Sequence, residues 1–215
     1  MHSGIQTESG GVARYYHSDL QRNARVSTEI TGYTVSTLVY LYQRSGDTAY
    51  LDAAVRGADF LTQTAWDSKH AAFPFEHAAT GDSAPPLTYF FDTGIIIRGL
   101  LALWRVTANS ELLQIAVQAG TSLHEDFFLG SDIHPILQLP AKNPIERTSQ
   151  WSRNSGCYQL KAALAWHDLC DATGEQQFLD WYTSARELPW QRTTPFSRAN
   201  FRTHDGPFAC LFVFS

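Results

Sequence analysis

Two acidic residues occupy corresponding places in a repeated stretch of the sequence. Glu29 stands three residues before Gly32, and Asp92 stands two residues before Gly94. Two carboxyl groups facing one cleft can act as general acid and general base, or as proton abstractor and stabiliser, if apolar neighbours raise the pKa of one of them. The alternative is that each acid only caps its helix or balances the positive end of the helix dipole. The pattern therefore names Asp92 and Glu29 as candidate catalytic residues.

Aromatic and basic residues lie close to these acids in the sequence. Others lie shortly before Gly156, which corresponds to Gly32 and Gly94 in a third copy of the repeat. Flat aromatic faces stack on sugar rings, although core packing is the alternative explanation for each of them. An arginine can hold a carboxylate, such as that of a uronic acid, through two parallel hydrogen bonds, but a surface arginine needs no such ligand. The candidates for substrate contact are Tyr33, Tyr89, Phe90, Phe91, Trp151, Arg153 and Arg147, the last considered together with Glu146.

Arg98 is a further candidate because it interrupts an apolar stretch. The equivalent positions in the other repeats are Ser36 and Leu164. A buried arginine requires a partner, since an unpaired buried charge is costly. We expect Arg98 either to pair with Asp92 or Glu29, or to point into the cleft.

The segment from Phe73 to His77 combines an acid, a base and two aromatic residues, so that Glu76 and His77 could contact a ligand if this loop closes over it. The histidines at 70, 77, 124 and 134 lack the spacing of metal ligands, so no metal is predicted. No glycine-rich nucleotide motif and no G-x-S-x-G motif is present, so no cofactor is predicted.

The elements that must position these residues form a repeated helical hairpin. A segment opening at Gly32 is repeated at Gly94, 62 residues later, and a third copy opens at Gly156. Later in that third copy the offset is 66, which predicts a first helix about one turn longer. Apolar residues at helical spacing predict first helices at about 31–44, 93–107 and 156–172, and second helices at about 48–65, 110–126 and 175–187.

The first helices are apolar nearly all round, whereas the second helices carry a polar side. This difference predicts an all-α fold with an inner and an outer layer, either an α/α-toroid or a stacked solenoid of helix pairs. The long repeat favours the toroid. We expect Leu38, Leu101 and Leu164 to be buried where the inner helices meet, and no strand beyond a short terminal piece.

Composition limits the other possibilities. The 215 residues fit a single domain spanning 1–215, and the net charge of −5 without a basic stripe argues against nucleic acid as a partner. No apolar stretch reaches the roughly 20 residues that cross a bilayer, and the N-terminus does not resemble a secretion signal. We therefore expect a cytoplasmic protein. Its three cysteines, at 157, 170 and 210, are expected to be buried free thiols.

Three segments carry a family resemblance: Thr28 to Tyr33, Arg44 to Ala54, and Phe91 to Gly94. They resemble the six-hairpin α/α-toroids, which include unsaturated glucuronyl hydrolases, N-acylglucosamine 2-epimerases and the C-terminal domain of glucuronyl epimerases. The resemblance implies a saccharide substrate, held at the N-terminal ends of the inner helices, and an epimerase, hydrolase or lyase reaction. A non-catalytic sugar-binding or scaffold module is the alternative.

The predicted helices are too few for a closed ring. A six-hairpin toroid has twelve helices, whereas this sequence predicts about six. We therefore expect an incomplete toroid, which is either a fragment of a longer chain or a half that pairs with a second copy in a homodimer.

Overall fold

A computed structural model describes residues 4–77, 84–129 and 132–188. Within these ranges, three helical hairpins follow one another along the chain. Their helices are α1 (Thr28–Ser45), α2 (Thr48–Asp59, continued by a π-helical turn over Phe60–Ala65), α3 (Phe90–Thr107), α4 (Ser110–Phe127), α5 (Gln159–Thr173) and α6 (Gln176–Glu187). The predicted hairpins are confirmed. The tail from Pro189, which contains Cys210, lies outside the described residues.

The hairpin turns use the residues that their backbone conformation requires. Gly46 and Gly174 end α1 and α5 in the left-handed region, with φ of 73° and 76°. A side chain is strained in that region, so glycine is favoured there. Ala108 adopts the same conformation after α3 with φ of 55°. Asp47 caps α2, because its Oδ1 accepts a hydrogen bond of 2.9 Å from the backbone N–H of Ala49.

The helices α1, α3 and α5 form the inner layer, with α3 between the other two. Close backbone approach explains the glycines that mark the repeat. A Cβ on Gly32 would lie 2.9 Å from the Cα of Ile96, and a Cβ on Gly94 would lie 2.6 Å from the carbonyl oxygen of Ala162. Each outer helix packs against its own hairpin partner. The two predicted layers are therefore confirmed.

The prediction for the three leucines is right for one of them. Leu101 on the central helix α3 is fully buried. Leu38 and Leu164 are only half-buried. Among the described residues α1 and α5 each have a single inner neighbour, which is α3. Their far flanks therefore remain partly exposed.

The third inner helix is shorter than predicted. α5 has 15 residues, whereas α1 and α3 have 18 each. The four additional residues of the third copy lengthen the connection before α5, which contains a 3₁₀ turn over Trp151–Arg153. α1 also starts earlier than predicted, because the hydroxyl of Ser27 accepts a hydrogen bond from the N–H of Ile30 and caps the helix there.

Short antiparallel strands contradict the expectation of almost no strand. Four small sheets, with five strand pairings in all, occur among the described residues. They join β1 (Val12–Ala13) to β4 (Val26–Ser27), β2 (Tyr16–His17) to β3 (Arg22–Asn23), β6 (Phe128–Leu129) to β7 (Asp132–Ile133), and β5 (Leu87–Tyr89) to β8 (Ile136–Gln138) and then β9 (Asn143–Pro144). Strands of two or three residues are too short to show an alternating pattern in the sequence.

The segment 73–77 joins two of these strands. The N–H of His77 donates to the carbonyl of Val26 at 3.1 Å, and the N–H of Phe75 donates to that of Leu87 at 2.7 Å. The N–H of Thr28, at the start of α1, donates to the carbonyl of Phe75 at 3.3 Å. The segment is thus tied by its backbone to the N-terminal end of α1.

The hydrophobic core lies between the inner and outer layers. Trp166 of α5 is fully buried, and its ring N–H donates a hydrogen bond of 2.8 Å to the carbonyl of Gly120 on α4. Cys157 and Cys170 are free thiols, as predicted, but neither is buried as expected, since Cys157 is exposed and Cys170 is half-buried. In the part of the chain that the structure describes, no helix is both long and apolar enough to cross a membrane.

Candidate functional site

Glu29 and Asp92 lie in the first turns of the adjacent inner helices α1 and α3. Neither one caps its helix: Ser27 caps α1, and the start of α3 has no side-chain cap. Asp92 is only 6% exposed, and within the described residues its buried Oδ2 has no hydrogen-bond partner. The capping explanation therefore does not account for Asp92, which is a buried acid with one oxygen unpaired.

The two carboxyl groups influence each other's protonation. Burial raises the pKa of Asp92 well above its usual value of 3.8, and the negative charge of Glu29 raises it further, while the Arg14 guanidinium opposes both effects. Burial also raises the pKa of Glu29, against the charges of Arg14 and Lys161. Two neighbouring carboxylates resist being charged together. The more deeply buried Asp92 therefore keeps its proton to higher pH.

Two tyrosines flank the acidic pair. Burial raises the pKa of Tyr33, and the charges of Glu29 and Asp92 add to this rise. The ammonium group of Lys161, on α5, lies 4.8 Å from the centre of the Tyr33 ring. Burial and the charge of Asp92 likewise raise the pKa of Tyr89. Both phenols therefore remain protonated and can donate hydrogen bonds to a ligand.

Arg14, a basic residue from the N-terminal segment, contacts two residues of the segment 73–77. Nη1 of Arg14 lies 3.2 Å from Oε1 of Glu76, and its guanidinium lies 4.7 Å from the centre of the Phe75 ring. The ring of Phe75 in turn packs 4.7 Å from that of Tyr89. Sequence reasoning missed Arg14 and Lys161, because no motif surrounds either residue and only folding brings them to the acidic pair.

Arg98 does not have the predicted partner. Its Nε lies 2.8 Å from Oδ2 of Asp168 on α5, rather than against Asp92 or Glu29. The charge of Arg98 still lowers the pKa of Tyr33, so the pair borders the site. The reason is geometric: Arg98 is on the side of α3 that faces α5, while α1 lies on the other side.

Two candidates, Trp151 and Arg153, lie in the 3₁₀ turn of the connection before α5. Trp151 is 64% exposed, and its ring packs edge-on against Tyr158 with centroids 5.1 Å apart. Nη1 of Arg153 donates to the backbone carbonyl of Glu146 at 3.3 Å, and its charge lowers the pKa of Tyr89. Arg153 therefore influences a residue of the site electrostatically, whereas Trp151 is mostly exposed and packs against Tyr158.

Four other candidates have structural partners. Phe90 is fully buried in the core, next to Trp166. Arg147 pairs with Asp132 at 2.6 Å instead of acting with Glu146. The ring of His77 packs against Phe60, with centroids 5.6 Å apart. Phe91 is half-buried, and its ring centroid lies 6.1 Å from that of Tyr158.

One group of possible metal ligands occurs in the described part of the chain. His167, Asp168 and Asp171 of α5 bring one ligand atom each within 4.8 Å of the others. The spacing argument from the sequence overlooked this group. Since Asp168 already pairs with Arg98, we assign it no metal.

The raised pKa values predict how stability depends on pH. A carboxyl group with a raised pKa in the folded state binds its proton more tightly there than in the unfolded chain, so its contribution makes stability fall as pH rises through that interval. Other carboxyl groups act in the opposite sense; the pKa of Asp132, for example, is lowered by hydrogen bonds from Ser155 and Arg147 despite its burial.

The Asp92→Asn variant isolates the contribution of Asp92 to this pH dependence of stability. Its melting temperature should rise relative to that of the wild type as pH increases above about 4, the usual pKa of an aspartate, because only the wild type then loses the stability that protonated Asp92 provides. If the melting temperatures of the two proteins changed in parallel with pH, the raised pKa of Asp92 would be contradicted.

Comparison with known proteins identifies the fold. No family profile and no curated protein matches the sequence. Among solved structures, a sugar epimerase from a ruminal bacterium is 14% identical with a TM-score of 0.73, covering 83% of this chain and 48% of its own. The cellobiose 2-epimerase of Bacillus thermoamylovorans is 16% identical with a TM-score of 0.72, and the match covers 85% of this chain and 49% of that protein. The unsaturated glucuronyl hydrolase of Bacillus sp. GL1 is 12% identical with a TM-score of 0.65, and the match covers 85% of this chain and 51% of that protein.

These likenesses concern the fold. They confirm the resemblance to six-hairpin α/α-toroids and exclude the stacked solenoid. The chain spans about half the length of these solved structures. Three hairpins therefore correspond to half of the ring.

Proposed function

We propose that the chain forms half of a carbohydrate-active toroid that acts on a uronic-acid-containing or other polysaccharide-derived sugar, by epimerisation or by cleavage of a glycosidic bond. Two of the similar structures are sugar epimerases, and a third is an unsaturated glucuronyl hydrolase. The other half of the ring would come from a second copy or from further hairpins of a longer chain.

The observation that carries this proposal is the acidic pair at the N-terminal ends of α1 and α3. A buried acid with a raised pKa can deliver a proton to a glycosidic or ring oxygen, while a neighbouring carboxylate can accept one. In this proposal Asp92 holds the proton and Glu29 is its charged partner. The unpaired Oδ2 of Asp92 supports this assignment, because an orphaned buried oxygen gains a hydrogen bond when a sugar hydroxyl arrives.

Charges around the pair favour an anionic sugar. Arg14, Lys161 and Arg153 come from three separate parts of the chain, and each of them lowers the pKa of a group in the site. Tyr33 and Tyr89 add aromatic faces and phenol donors beside them. A uronate combines a flat ring face with a carboxylate, and therefore matches both features.

Selective loss of uronate affinity tests the substrate class. Arg153→Ala should weaken the binding of digalacturonate by about tenfold and leave that of neutral maltose unchanged, because a charge-assisted hydrogen bond contributes roughly 1.5–3 kcal/mol. Calorimetry would measure both affinities. Arg44→Ala removes an exposed arginine at the opposite end of α1 and is the matched control.

Two results would count against this proposal. Equal weakening for both sugars would show that Arg153 supports the structure of the site rather than contacting a carboxylate. If no saccharide bound to the wild type, the scaffold alternative would be favoured instead. The molar mass in solution would show whether a second copy completes the ring.

A further inference from the structure

The contact between two neighbouring inner helices, called a seam below, recurs at equivalent positions of the repeat. The inner helices end at three left-handed residues, spaced 62 and then 66 residues apart, which are Gly46, Ala108 and Gly174. In the α1–α3 seam, a Cβ on Gly32 would lie 2.9 Å from the Cα of Ile96. In the α3–α5 seam, a Cβ on the equivalent Gly94 would lie 2.8 Å from the Cα of the equivalent Ala162. The same spacing therefore predicts which residues would meet in a further seam.

The side of α1 that faces away from α3, called its free side, is apolar and uncovered. On α3, Leu103 lies one turn after Gly99, whose Cβ would lie 2.5 Å from the carbonyl oxygen of Gly32 on α1. Leu103 is 1% exposed there, whereas the equivalent Leu41 of α1 is 36% exposed. Among the described residues, α3 packs between two inner helices and α1 packs against one. Leu41 is thus exposed because no inner helix covers this side of α1.

The free side of α5 carries an apolar residue at the matching position. In the α3–α5 seam, Arg98 pairs with Asp168 at 2.8 Å. The residue of α5 equivalent to Arg98 is Leu164, which is half-buried. The residue of α1 equivalent to Asp168 is Tyr40, which is 60% exposed. A seam between α5 and another α1 would therefore place Leu164 opposite Tyr40, with an apolar contact where the α3–α5 seam has an ion pair.

The occupant that matches both free sides is a second copy of this chain. Leu164 and Tyr40 show that α5 and α1 carry the two apolar halves of one seam. Their charges match as well, because Asp171 is exposed near the end of α5 and Arg44 is exposed in the last turn of α1. A twofold axis along the axis of the ring keeps equivalent helices at the same level and forms two identical α5–α1 seams. Two copies of three hairpins then give the six hairpins of a closed toroid.

We propose that the free sides of α1 and α5 form the interface with a second copy of this chain, so that two chains close one six-hairpin ring. This inference rests on the proposed function and names the partner that supplies the second half of the ring. Each ring then contains two sites with Glu29 and Asp92, one from each chain.

The molar mass in solution and two charge substitutions test this interface. Light scattering after gel filtration should give the mass of two chains for the wild type. Leu164→Arg or Tyr40→Asp alone should raise the dissociation constant of the dimer by about 10²–10³-fold, because each one buries a charge without a partner in the seam. The combined variant Y40D/L164R should restore most of the affinity, because it places at the new seam the arginine–aspartate pair that Arg98 and Asp168 form between α3 and α5.

The control variant is Leu129→Arg, which introduces the same charge at a leucine of β6 that is 50% exposed. It should leave the dissociation constant unchanged. Leu164 is half-buried and Tyr40 is mostly exposed in the single chain, so that both substitutions should leave each chain folded. Circular dichroism would verify this for every variant.

The outcomes separate this interface from the proposed function. A wild type that stays monomeric at every concentration would overturn the interface, and saccharide binding by that monomer would leave the proposed function standing. A dimer that resists both single substitutions, or that Leu129→Arg weakens equally, would also overturn the interface, because the contact would then lie elsewhere. A failure of Y40D/L164R to reassociate would contradict the pairing of Leu164 with Tyr40. A dimer that responds as expected but binds no saccharide would support the interface while the proposed function fails.

Discussion

Replacement of Asp92 by asparagine should lower turnover by about 10²–10⁴-fold, which is the usual contribution of a general acid or base. Asparagine keeps the size and polarity of the side chain but cannot hold or release the proton. Binding of the saccharide should therefore remain nearly intact, so that the loss falls on kcat rather than on KM. The measurement is the steady-state rate with an oligosaccharide that the wild type converts.

Two further variants, Asp52→Asn and Glu29→Gln, make this test more specific. Asp52→Asn removes an exposed acid on the outer helix α2 and should leave kcat unchanged. Glu29→Gln should lower the pKa of Asp92, because it removes the neighbouring negative charge that raises it. The limb of the pH–rate profile that reports Asp92 should therefore move to lower pH. Full activity of Asp92→Asn would remove this residue from the mechanism.

Replacement of Trp166 by alanine should reduce the free energy of unfolding by about 3–5 kcal/mol, as deletion of a buried tryptophan side chain usually does. The ring lies between the layers, with centroids 5.7 Å from Phe90, 5.6 Å from Phe128 and 6.1 Å from Trp181. Its loss would leave a cavity and would also free the carbonyl of Gly120, to which its N–H donates. Urea denaturation followed by circular dichroism would measure the change.

Trp151→Ala provides the control, because the same side chain is removed from a position that is 64% exposed. We expect it to cost less than about 1 kcal/mol, since little apolar surface is buried there. Similar losses for both variants would mean that Trp166 does not pack between the two layers as the structure places it.

The two acids illustrate how far a repeat in the sequence can locate a site. Glu29 and Asp92 stand out because each precedes the glycine of its hairpin, and because equivalent helices of a repeat point the same way, which places both acids at one end of the inner layer. The chemical difference between them was not visible in the sequence. Burial decides which acid keeps its proton, and burial depends on how α1 and α3 pack against each other.

The arginines show the opposite case. Arg98 is unusual in the sequence because it interrupts an apolar helix. Its partner Asp168, however, lies on α5 of the following hairpin, and no local pattern in the sequence links the two residues. Arg14 gave no signal at all. Its position beside Glu76 arises from a ribbon of two-residue strands, which are too short to be read from alternation.

The sequence by itself determined the helical hairpins, their turns and the division into an inner and an outer layer. These features follow from local causes: apolar spacing defines a helix face, and residues such as Gly46 and Asp47 satisfy the requirements of the turn between two helices. Only the tertiary structure decided which side chains meet at the mouth of the half-ring. Arg14, Lys161 and Asp168 reach it from separate elements, because contacts between distant segments depend on packing distances and helix rotation rather than on any periodicity along the chain.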